Sequence, residues 1–251
     1  MNQEFIYGKN SVYEALKVNP KRINKVLISK SASNDKKISE IIELAKANKI
    51  VFSFQPREKF NSFGDVIHQG VAAYVSPVEY LSLEDYFAQE KPGYKKLIAL
   101  DGVQDPHNLG ALIRTCACAG FDGIILAARK GTLVTGIVEK TSAGAINHIP
   151  VILVNSLSGA IEKLKKHDYW IIVTDIKAKD NYFDVDYTDM NFVIVLGSEG
   201  TGVTKTILNS ADFLVKIPIL RDFNSLNVSN AAAILIYEVV QQKVQKSKNT
   251  V

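Results

Sequence analysis

The stretch KLIALDGVQDPHNLGALIRT (96–115) joins a buried strand, a polar junction and a helix in immediate succession. The run LIAL (97–100) is wholly apolar, which is typical of a strand covered on both faces of a parallel sheet. Polar and turn-forming residues follow at 105–108, and apolar residues at helical spacing then predict a helix that carries Arg114. We therefore expect a strand–loop–helix unit of an α/β fold with polar side chains at the carboxyl end of its strand.

The chain after residue 96 repeats this alternation of apolar strands and helices. The further strands that we predict are GIILAA (123–128), VILVN (151–155), WIIVTDI (170–176), NFVIVLG (191–197) and FLVKIPI (213–219). Apolar strands that alternate with helices are typical of a mainly parallel sheet with helices on both faces. The fold class that we predict is therefore α/β, and ligands of such open sheets gather at the carboxyl ends of the strands.

The first 76 residues predict a smaller α/β unit. Ser11 and Glu14 have the spacing of a capping box at the start of a short helix. The apolar positions of 38–45 mark one face of a second helix, and another helix is expected after Pro56. The strands that we predict in this unit are KVLIS (25–29), IVFSF (50–54) and GVAAYV (70–75).

Composition and charge suggest how the chain is divided. Residues 77–95 are acidic and contain two prolines and a glycine, which is typical of a connector, so we predict domains at 1–76 and 96–251 with a linker at 77–95. Residues 1–76 carry 12 Lys and Arg against 7 Asp and Glu, whereas residues 96–251 carry 16 against 15. A positive surplus in the N-terminal third suits a polyanion such as RNA, and it equally suits an ordinary solvated surface.

Several classes of protein are disfavoured by the composition. No apolar run approaches the length of a membrane-spanning helix, and the first residues lack the basic-then-apolar order of a signal peptide. We therefore expect a soluble, cytoplasmic protein with no membrane partner. The four histidines are scattered and form no Cys/His pair at ligand spacing, so we expect no metal site.

Three polar clusters follow predicted strands, at 101–115, at LGSEGTG (196–202) and at IPILRDFNSLNVSN (217–230). The glycines of the second cluster match neither GxGxxG nor a phosphate-binding GK[ST] loop, and Glu199 would repel a pyrophosphate. A glycine-rich turn with a carboxylate suits a positively charged ligand that the backbone approaches closely. On its own such a turn is more often structural, but the three clusters together are much more specific.

The stretches DGVQDPHNLGALIRTCACAGFDGIIL, VIVLGSEGTGV and IPI…SLNVSNAAAILIYE resemble, in order and spacing, the three motifs of SpoU (TrmH-type) RNA ribose 2′-O-methyltransferases. YGKNSVYEAL (7–16) and HQGVAA (68–73) are similar to the L30e-like substrate-binding domain of the branch that modifies 23S ribosomal RNA. The resemblance covers nearly the whole chain. It implies a SPOUT-type domain with a deep trefoil knot, S-adenosyl-L-methionine as cofactor, large-subunit ribosomal RNA as substrate and a homodimer.

The resemblance also implies a set of site residues. The polar catalytic residues would be Asn108, Arg114, Glu199, Ser225 and Asn227, and the cofactor contacts would fall at Thr174, Gly197, Ile217 and Leu226. In this family the arginine at the position of Arg114 is often assigned the role of general base, but a guanidinium is effectively always protonated. A charged Arg114 that holds an RNA phosphate and stabilises the developing alkoxide requires less unusual chemistry. The polar residues at 225–230 would line the pocket, and the apolar helix after them would be buried.

One departure from the family pattern and three alternatives stay open. Arg221 stands where the family usually has a glycine, so the loop could be shaped differently or could contact RNA. The leading hypothesis is 2′-O-methylation of a guanosine in 23S ribosomal RNA. The alternatives are methylation of a transfer RNA, methylation of a drug-resistance site in ribosomal RNA, and a non-catalytic RNA-binding protein of ribosome assembly.

Overall fold

The computed structural model describes residues 4–64, 66–89 and 92–249. The chain folds into two compact units. The first, which we term the N-terminal unit, comprises Met1–Glu79 and Val134–His148, and the second, the sheet unit, comprises Tyr80–Leu133 and Ile149–Val251. The segment Val134–His148 thus lies within the predicted domain 96–251 but folds with the N-terminal unit. The boundaries that the sequence suggested at residues 76 and 95 stay a prediction.

The regular elements follow one another from Glu4 to Asn249. The strands are β1 (Glu4–Tyr7), β2 (Ile23–Ser29), β3 (Phe52–Gln55), β4 (Val71–Val75), β5 (Lys96–Asp101), β6 (Gly123–Ala127), β7 (Val151–Val154), β8 (Tyr169–Thr174), β9 (Asp180–Asn181), β10 (Asn191–Gly197) and β11 (Phe213–Lys216). The α-helices are α1 (Lys9–Val18), α2 (Lys36–Ala47), α3 (Leu83–Phe87), α4 (Pro106–Cys118), α5 (Gly136–Thr141), α6 (Leu157–Lys166), α7 (Lys205–Leu208) and α8 (Val228–Asn249).

The N-terminal unit is built on a four-stranded sheet of order β1-β4-β2-β3. The two pairs that involve β4 are antiparallel, and β2 and β3 are parallel. Helices α1 and α2 pack against each other and bury their apolar stripes, including Leu16 and Ile41, with Val26 and Ile28 of the sheet. A second apolar cluster around Phe60 and Leu27 completes the core of this unit.

Two details of the N-terminal unit differ from the sequence predictions. The capping box is wrong, because α1 begins at Lys9 after Gly8, whose φ of 92° favours glycine. Ser11 is buried, and its hydroxyl donates to the backbone oxygen of Glu139 at 3.4 Å, while Glu14 pairs with His148. The helix expected after Pro56 is a 3₁₀ helix.

A buried ion pair joins the two chain segments of the N-terminal unit. Arg22 donates through Nη1 and Nη2 to the two carboxylate oxygens of Glu139, at 3.0 and 2.5 Å. Its Nε donates to the backbone oxygen of Ser76 at 2.6 Å. The two charged side chains are only 7% and 4% exposed. A bidentate guanidinium–carboxylate pair of this kind is among the stronger polar contacts in proteins, and it fixes α5 to the rest of the unit.

The sheet unit confirms the prediction of a parallel α/β fold. Its sheet has the order β7-β6-β5-β10-β8-β11-β9, and every pair in the described part of the chain is parallel. Helix α6 packs its apolar stripe on one face of the sheet, together with α3. Helices α4 and α8 pack against each other, and α8 also contacts β10. Among the described helices, none is long and apolar enough to cross a membrane.

Candidate active site

Because every strand of this sheet runs in the same direction, the three polar clusters follow strands at one edge. The first cluster follows β5 and begins α4, the second follows β10, and the third connects β11 to α8. In the sheet, β10 pairs with β5 on one side and with β8 on the other. The structure therefore brings together residues that lie more than a hundred positions apart in the sequence.

The turn after β10 leaves no room for a side chain at its first glycine. Gly197 lies so close to the returning backbone that an added Cβ would be 2.2 Å from the carbonyl carbon of Gly202 and 2.4 Å from the nitrogen of Val203. Ser198 and Gly202 form an antiparallel bridge, and Gly200 has a φ of 89°. The glycines are therefore required by the folding of this turn upon itself.

A buried carboxylate that the sequence interpretation missed ties this turn to β5. Asp101 is 5% exposed, and its Oδ2 accepts the backbone N–H of Thr204 at 2.7 Å. The only signal in the sequence was an acidic residue at the end of an apolar strand. This hydrogen bond holds the far end of the turn against the first cluster.

Three side chains of the predicted catalytic set form one hydrogen-bonded group, which we term the amide–carboxylate cluster: Asn108, Glu199 and Asn227. Asn227 Nδ2 donates to Asn108 Oδ1 and to Glu199 Oε1, both at 2.9 Å. The same Glu199 oxygen accepts the backbone N–H of Val228 at 3.3 Å and Asn108 Nδ2 at 3.5 Å. The group thus joins one residue from each of the three sequence clusters.

Asn227 has a second role as the cap of α8. Its Oδ1 accepts the backbone N–H groups of Ser229 at 2.9 Å and Asn230 at 3.3 Å, as an N-cap side chain does. The Ser229 hydroxyl also donates to this oxygen, at 2.6 Å. Capping and the amide–carboxylate cluster therefore account for much of the crowding of polar residues before α8. Of the polar side chains at 225–230, Ser225 lines the adjacent cavity.

That cavity, of about 510 Å³, lies between the second and third clusters. Six of the nine predicted site residues line it: Thr174, Gly197, Glu199, Ile217, Ser225 and Leu226. Its wall also includes apolar residues such as Leu196 and Val215, and the unpredicted charged residues Asp175, Lys177 and Lys216. The Thr174 hydroxyl donates to the backbone oxygen of Val195 at 3.2 Å, which directs this hydroxyl toward the sheet.

Two arginines that the sequence interpretation singled out, Arg114 and Arg221, take no part in the hydrogen bonds of the amide–carboxylate cluster. Arg114 is exposed on α4, and in the described part of the chain its guanidinium makes no hydrogen bond or ion pair. The structure does not bring it into contact with Glu199. Arg221 is also exposed, and its φ is outside the left-handed region, so the loop does not require the glycine that is usual at this position.

Two family models match the chain, over successive stretches that do not overlap. The model described as RNA 2′-O ribose methyltransferase substrate binding matches residues 5–81, and the SpoU rRNA Methylase family model matches residues 95–237. A protein of Staphylococcus saprophyticus, named "Putative TrmH family tRNA/rRNA methyltransferase", is 40% identical over 245 residues, which cover 97% of each chain. Its counterpart in Staphylococcus aureus strain MSSA476 is 38% identical over 245 residues, which cover 97% of this chain and 98% of the other.

Solved structures share the fold. The SpoU methyltransferase AviRb of Streptomyces viridochromogenes, in complex with the cofactor AdoMet, superposes with a TM-score of 0.80 at 20% identity, covering 96% of this chain and 91% of that one. The A. aeolicus TrmH/SpoU tRNA modifying enzyme gives a TM-score of 0.56 at 28% identity, covering 63% and 80%. The first of these likenesses shows the same fold over nearly the whole chain, and the family models and the staphylococcal relatives show the family. The chain belongs to the SpoU family of RNA methyltransferases.

Proposed function

We propose that the chain transfers a methyl group from S-adenosyl-L-methionine to the ribose 2′-hydroxyl of a guanosine in 23S ribosomal RNA. The observation that carries this proposal is the position of the amide–carboxylate cluster beside a cavity of about 510 Å³, with Glu199 belonging to both. The match of residues 5–81 to a 2′-O ribose substrate-binding domain supports the choice of the ribose. Polar groups that converge next to one well-formed cavity are the usual arrangement of an active site.

The cavity fits the proposed cofactor in size and chemistry. Its volume lies within the range of about 300–1,000 Å³ that small-molecule sites occupy. Backbone groups at Gly197, Ile217 and Leu226 would hold the cofactor, with Thr174 at the edge of the same wall. When bound, S-adenosyl-L-methionine supplies an electrophilic methyl group on a positively charged sulfur. The Glu199 carboxylate favours a cation in this cavity.

The chain's own residues would orient the ribose and stabilise charge. Asn108 and Asn227 have their carboxamides fixed by the amide–carboxylate cluster, so they can present a rigid polar surface to a hydroxyl group. The Arg114 guanidinium has no partner among the described residues, so its donors are available to a phosphate and to the developing alkoxide. Ser225 would add a hydrogen bond from the cavity wall.

We also propose the knot, the homodimer and a cytoplasmic location that the family resemblance implied. The sheet order supports the knot, because β10 lies between β5 and β8 while the residues before α8 return to the turn after β10. Exposed apolar side chains on α8 support a second copy as partner, since Tyr237 is 52% and Val244 49% exposed. A cytoplasmic location would bring the enzyme to its RNA.

Transfer RNA is the second candidate substrate. The names of the staphylococcal relatives include both tRNA and rRNA, and the A. aeolicus structure is of a tRNA modifying enzyme. A drug-resistance site in ribosomal RNA and a non-catalytic role in ribosome assembly are the remaining alternatives. The amide–carboxylate cluster joins one residue from each of the three motif stretches beside the cavity, which favours the catalytic role over the non-catalytic one.

The deciding experiment is methyl transfer from labelled S-adenosyl-L-methionine to ribosomal RNA and transfer RNA from cells that lack this protein, followed by nucleoside analysis. We expect label in 2′-O-methylguanosine of the large ribosomal RNA. Label only in transfer RNA would keep the chemistry and replace the substrate. Label in a base would overturn the ribose assignment, and no label together with RNA binding would favour the non-catalytic role.

Replacing the arginine tests its role directly. We expect Arg114→Ala to reduce methyl transfer by a factor of about 100 or more, because several kcal/mol of charge stabilisation would be lost. Cofactor affinity, measured by calorimetry, should stay within about twofold because Arg114 is not among the cavity-lining residues. Lys163→Ala on α6 removes another surface cation and should keep full activity. Full activity of Arg114→Ala would contradict the assignment.

A further inference from the structure

The segment between β11 and α8, which we term the 217–227 loop, touches the cavity with both of its ends but not with its middle. Ile217 and Ile219 line the cavity before the bend, and Asn224 to Leu226 line it afterwards. The four residues between them, Leu220–Phe223, form an apex that does not contribute to the cavity wall. The apex is therefore held beside the proposed reaction site by two anchored ends.

The apex presents large side chains to solvent. Leu220 is 94% and Phe223 70% exposed, and Arg221 between them is also exposed. The Phe223 ring stacks on no other aromatic ring in the described part of the chain. A hydrogen bond of 2.8 Å from the Phe223 N–H to the backbone oxygen of Arg221 tightens the bend of the backbone at the apex. Exposed apolar groups placed next to a functional site mark a binding surface more often than isolated ones do.

We propose that this apex binds an unpaired nucleotide next to the target ribose, with the Phe223 ring stacked on its base and the Arg221 guanidinium on its phosphate. The inference rests on the proposed function and deepens it, because it makes the substrate a single-stranded or loop region. Bases of an A-form duplex are stacked within the helix, whereas unpaired bases can be splayed onto aromatic side chains. Base–aromatic stacking tolerates any base, since every base has a π face.

The chemistry of the apex favours RNA over a second copy of the chain. Arg221 and Asp222 are charged and stand between the two apolar side chains, whereas the apolar face of α8 offers a more uniform surface for a protein partner. Lys177 and Lys216 lie on the cavity wall beside the same loop, where Asp175 and Glu199 are the acidic residues, so the cation nearest the Phe223 ring in sequence is Arg221. Cations interleaved with an exposed aromatic ring are the combination that single-stranded nucleic-acid sites use.

Three substitutions of one residue separate stacking from simple apolar contact. In steady-state methylation of ribosomal RNA from the deletion strain, we expect Phe223→Ala to raise the KM for RNA about tenfold while leaving kcat little changed, because one stacked base is lost. Phe223→Leu should behave like Phe223→Ala, and Phe223→Trp should keep the wild-type KM. Cofactor affinity should not change in any of them. Leu220→Ala is the matched control for loss of an exposed apolar side chain and should have a smaller effect.

A binding measurement gives a second and independent readout. Trp170 is the single tryptophan of the chain, so the Phe223→Trp variant adds one indole whose fluorescence is read against the wild type. We expect a 12-nucleotide oligo(A) to quench the added fluorescence, and the same strand paired with oligo(U) to leave it unchanged.

Three results would overturn the proposal. They are an unchanged KM for Phe223→Ala, a wild-type KM for Phe223→Leu, and a change of the oligomeric mass of Phe223→Ala in light scattering, which would assign the apex to a second copy. Failure of the proposed function is distinguishable, because the wild-type protein would then place no methyl group on a ribose of the large ribosomal RNA, before any variant is compared.

Discussion

Two polar groups in this molecule use the same chemistry in opposite surroundings. The Arg22–Glu139 pair is more than nine-tenths buried, and both carboxylate oxygens and three guanidinium nitrogens have partners. The amide–carboxylate cluster is open, and its hydrogen bonds to Glu199 all reach a single carboxylate oxygen, Oε1. A group whose bonds are complete can only hold structure together. A group with polar atoms still facing a cavity can also act on a ligand.

The largest expected effect is on the buried pair. Glu139→Gln should lower the free energy of unfolding of the N-terminal unit by about 3–5 kcal/mol, because it leaves a buried guanidinium without its countercharge. Urea denaturation followed by circular dichroism measures this, since the single tryptophan lies in the sheet unit. Glu14→Gln, which alters a more exposed carboxylate–imidazole hydrogen bond of the same unit, should cost less than about 1 kcal/mol. An equal loss of unfolding free energy in Glu139→Gln and Glu14→Gln would contradict the structural role that we give to the buried pair.

A smaller effect is expected where the open cluster also has a structural role. Asn227→Ala removes the cap of α8 and should cost about 1 kcal/mol of unfolding free energy, measured by the same denaturation followed by tryptophan fluorescence. Methyl transfer should fall with it, because Asn108 and Glu199 lose their shared donor. Asn230→Ala, three residues further along the helix, is the matched control and should change neither quantity.

The sharpest separation of stability from activity is expected at the carboxylate of the open cluster. An amide oxygen in Glu199→Gln can accept the same N–H groups, so unfolding should change by less than about 0.5 kcal/mol. Loss of the negative charge beside the cavity should nevertheless lower methyl transfer by about tenfold, which corresponds to about 1.4 kcal/mol. Retention of full activity would show that Glu199 only fixes the turn after β10.

The smallest effect is expected at a half-buried histidine of the N-terminal unit. Burial, and to a smaller extent the charge of Arg57, lowers the pKa of His68 below its usual value of 6.5. His68 Nδ1 also accepts the Gly70 N–H at 3.0 Å, so the folded state favours the neutral ring. The unfolded chain binds the proton first, so stability is complete above pH 6.5 and declines as the pH falls from there through the lower folded-state pKa. In thermal unfolding, His68→Gln should show a weaker decline over this range than the wild type.

The open site was more predictable from the sequence than the buried pair. Strand β10 has the predicted bounds, and the three clusters meet at the strand ends because parallel strands share one direction. A polar cluster that follows an apolar run can be recognised within one short stretch of sequence, without knowledge of any distant contact. The predicted cap Ser11 lies three residues after the observed cap Gly8, because the turn at Gly8, with its positive φ, determines where α1 begins.

The buried pair could not have been found in this way. Arg22 and Glu139 are 117 positions apart, and each looks like an ordinary surface charge in its own stretch of sequence. The carboxylate of Asp101 was missed for a related reason, since its partner is a backbone N–H at position 204. Periodicity reports which face of an element is apolar, but it carries no information about which distant group will neutralise a buried charge.

The discontinuity of the N-terminal unit has a consequence for how such chains can be recombined. A gene fragment that encodes Met1–Glu79 alone would produce a unit that lacks α5 and the carboxylate that neutralises Arg22. When relatives exchange Met1–Glu79, the exchanged unit would fold only if Val134–His148 comes from the same relative. The alternative is a change at position 22 that removes the buried guanidinium. The two segments should therefore evolve as one module, although more than fifty residues separate them in the gene.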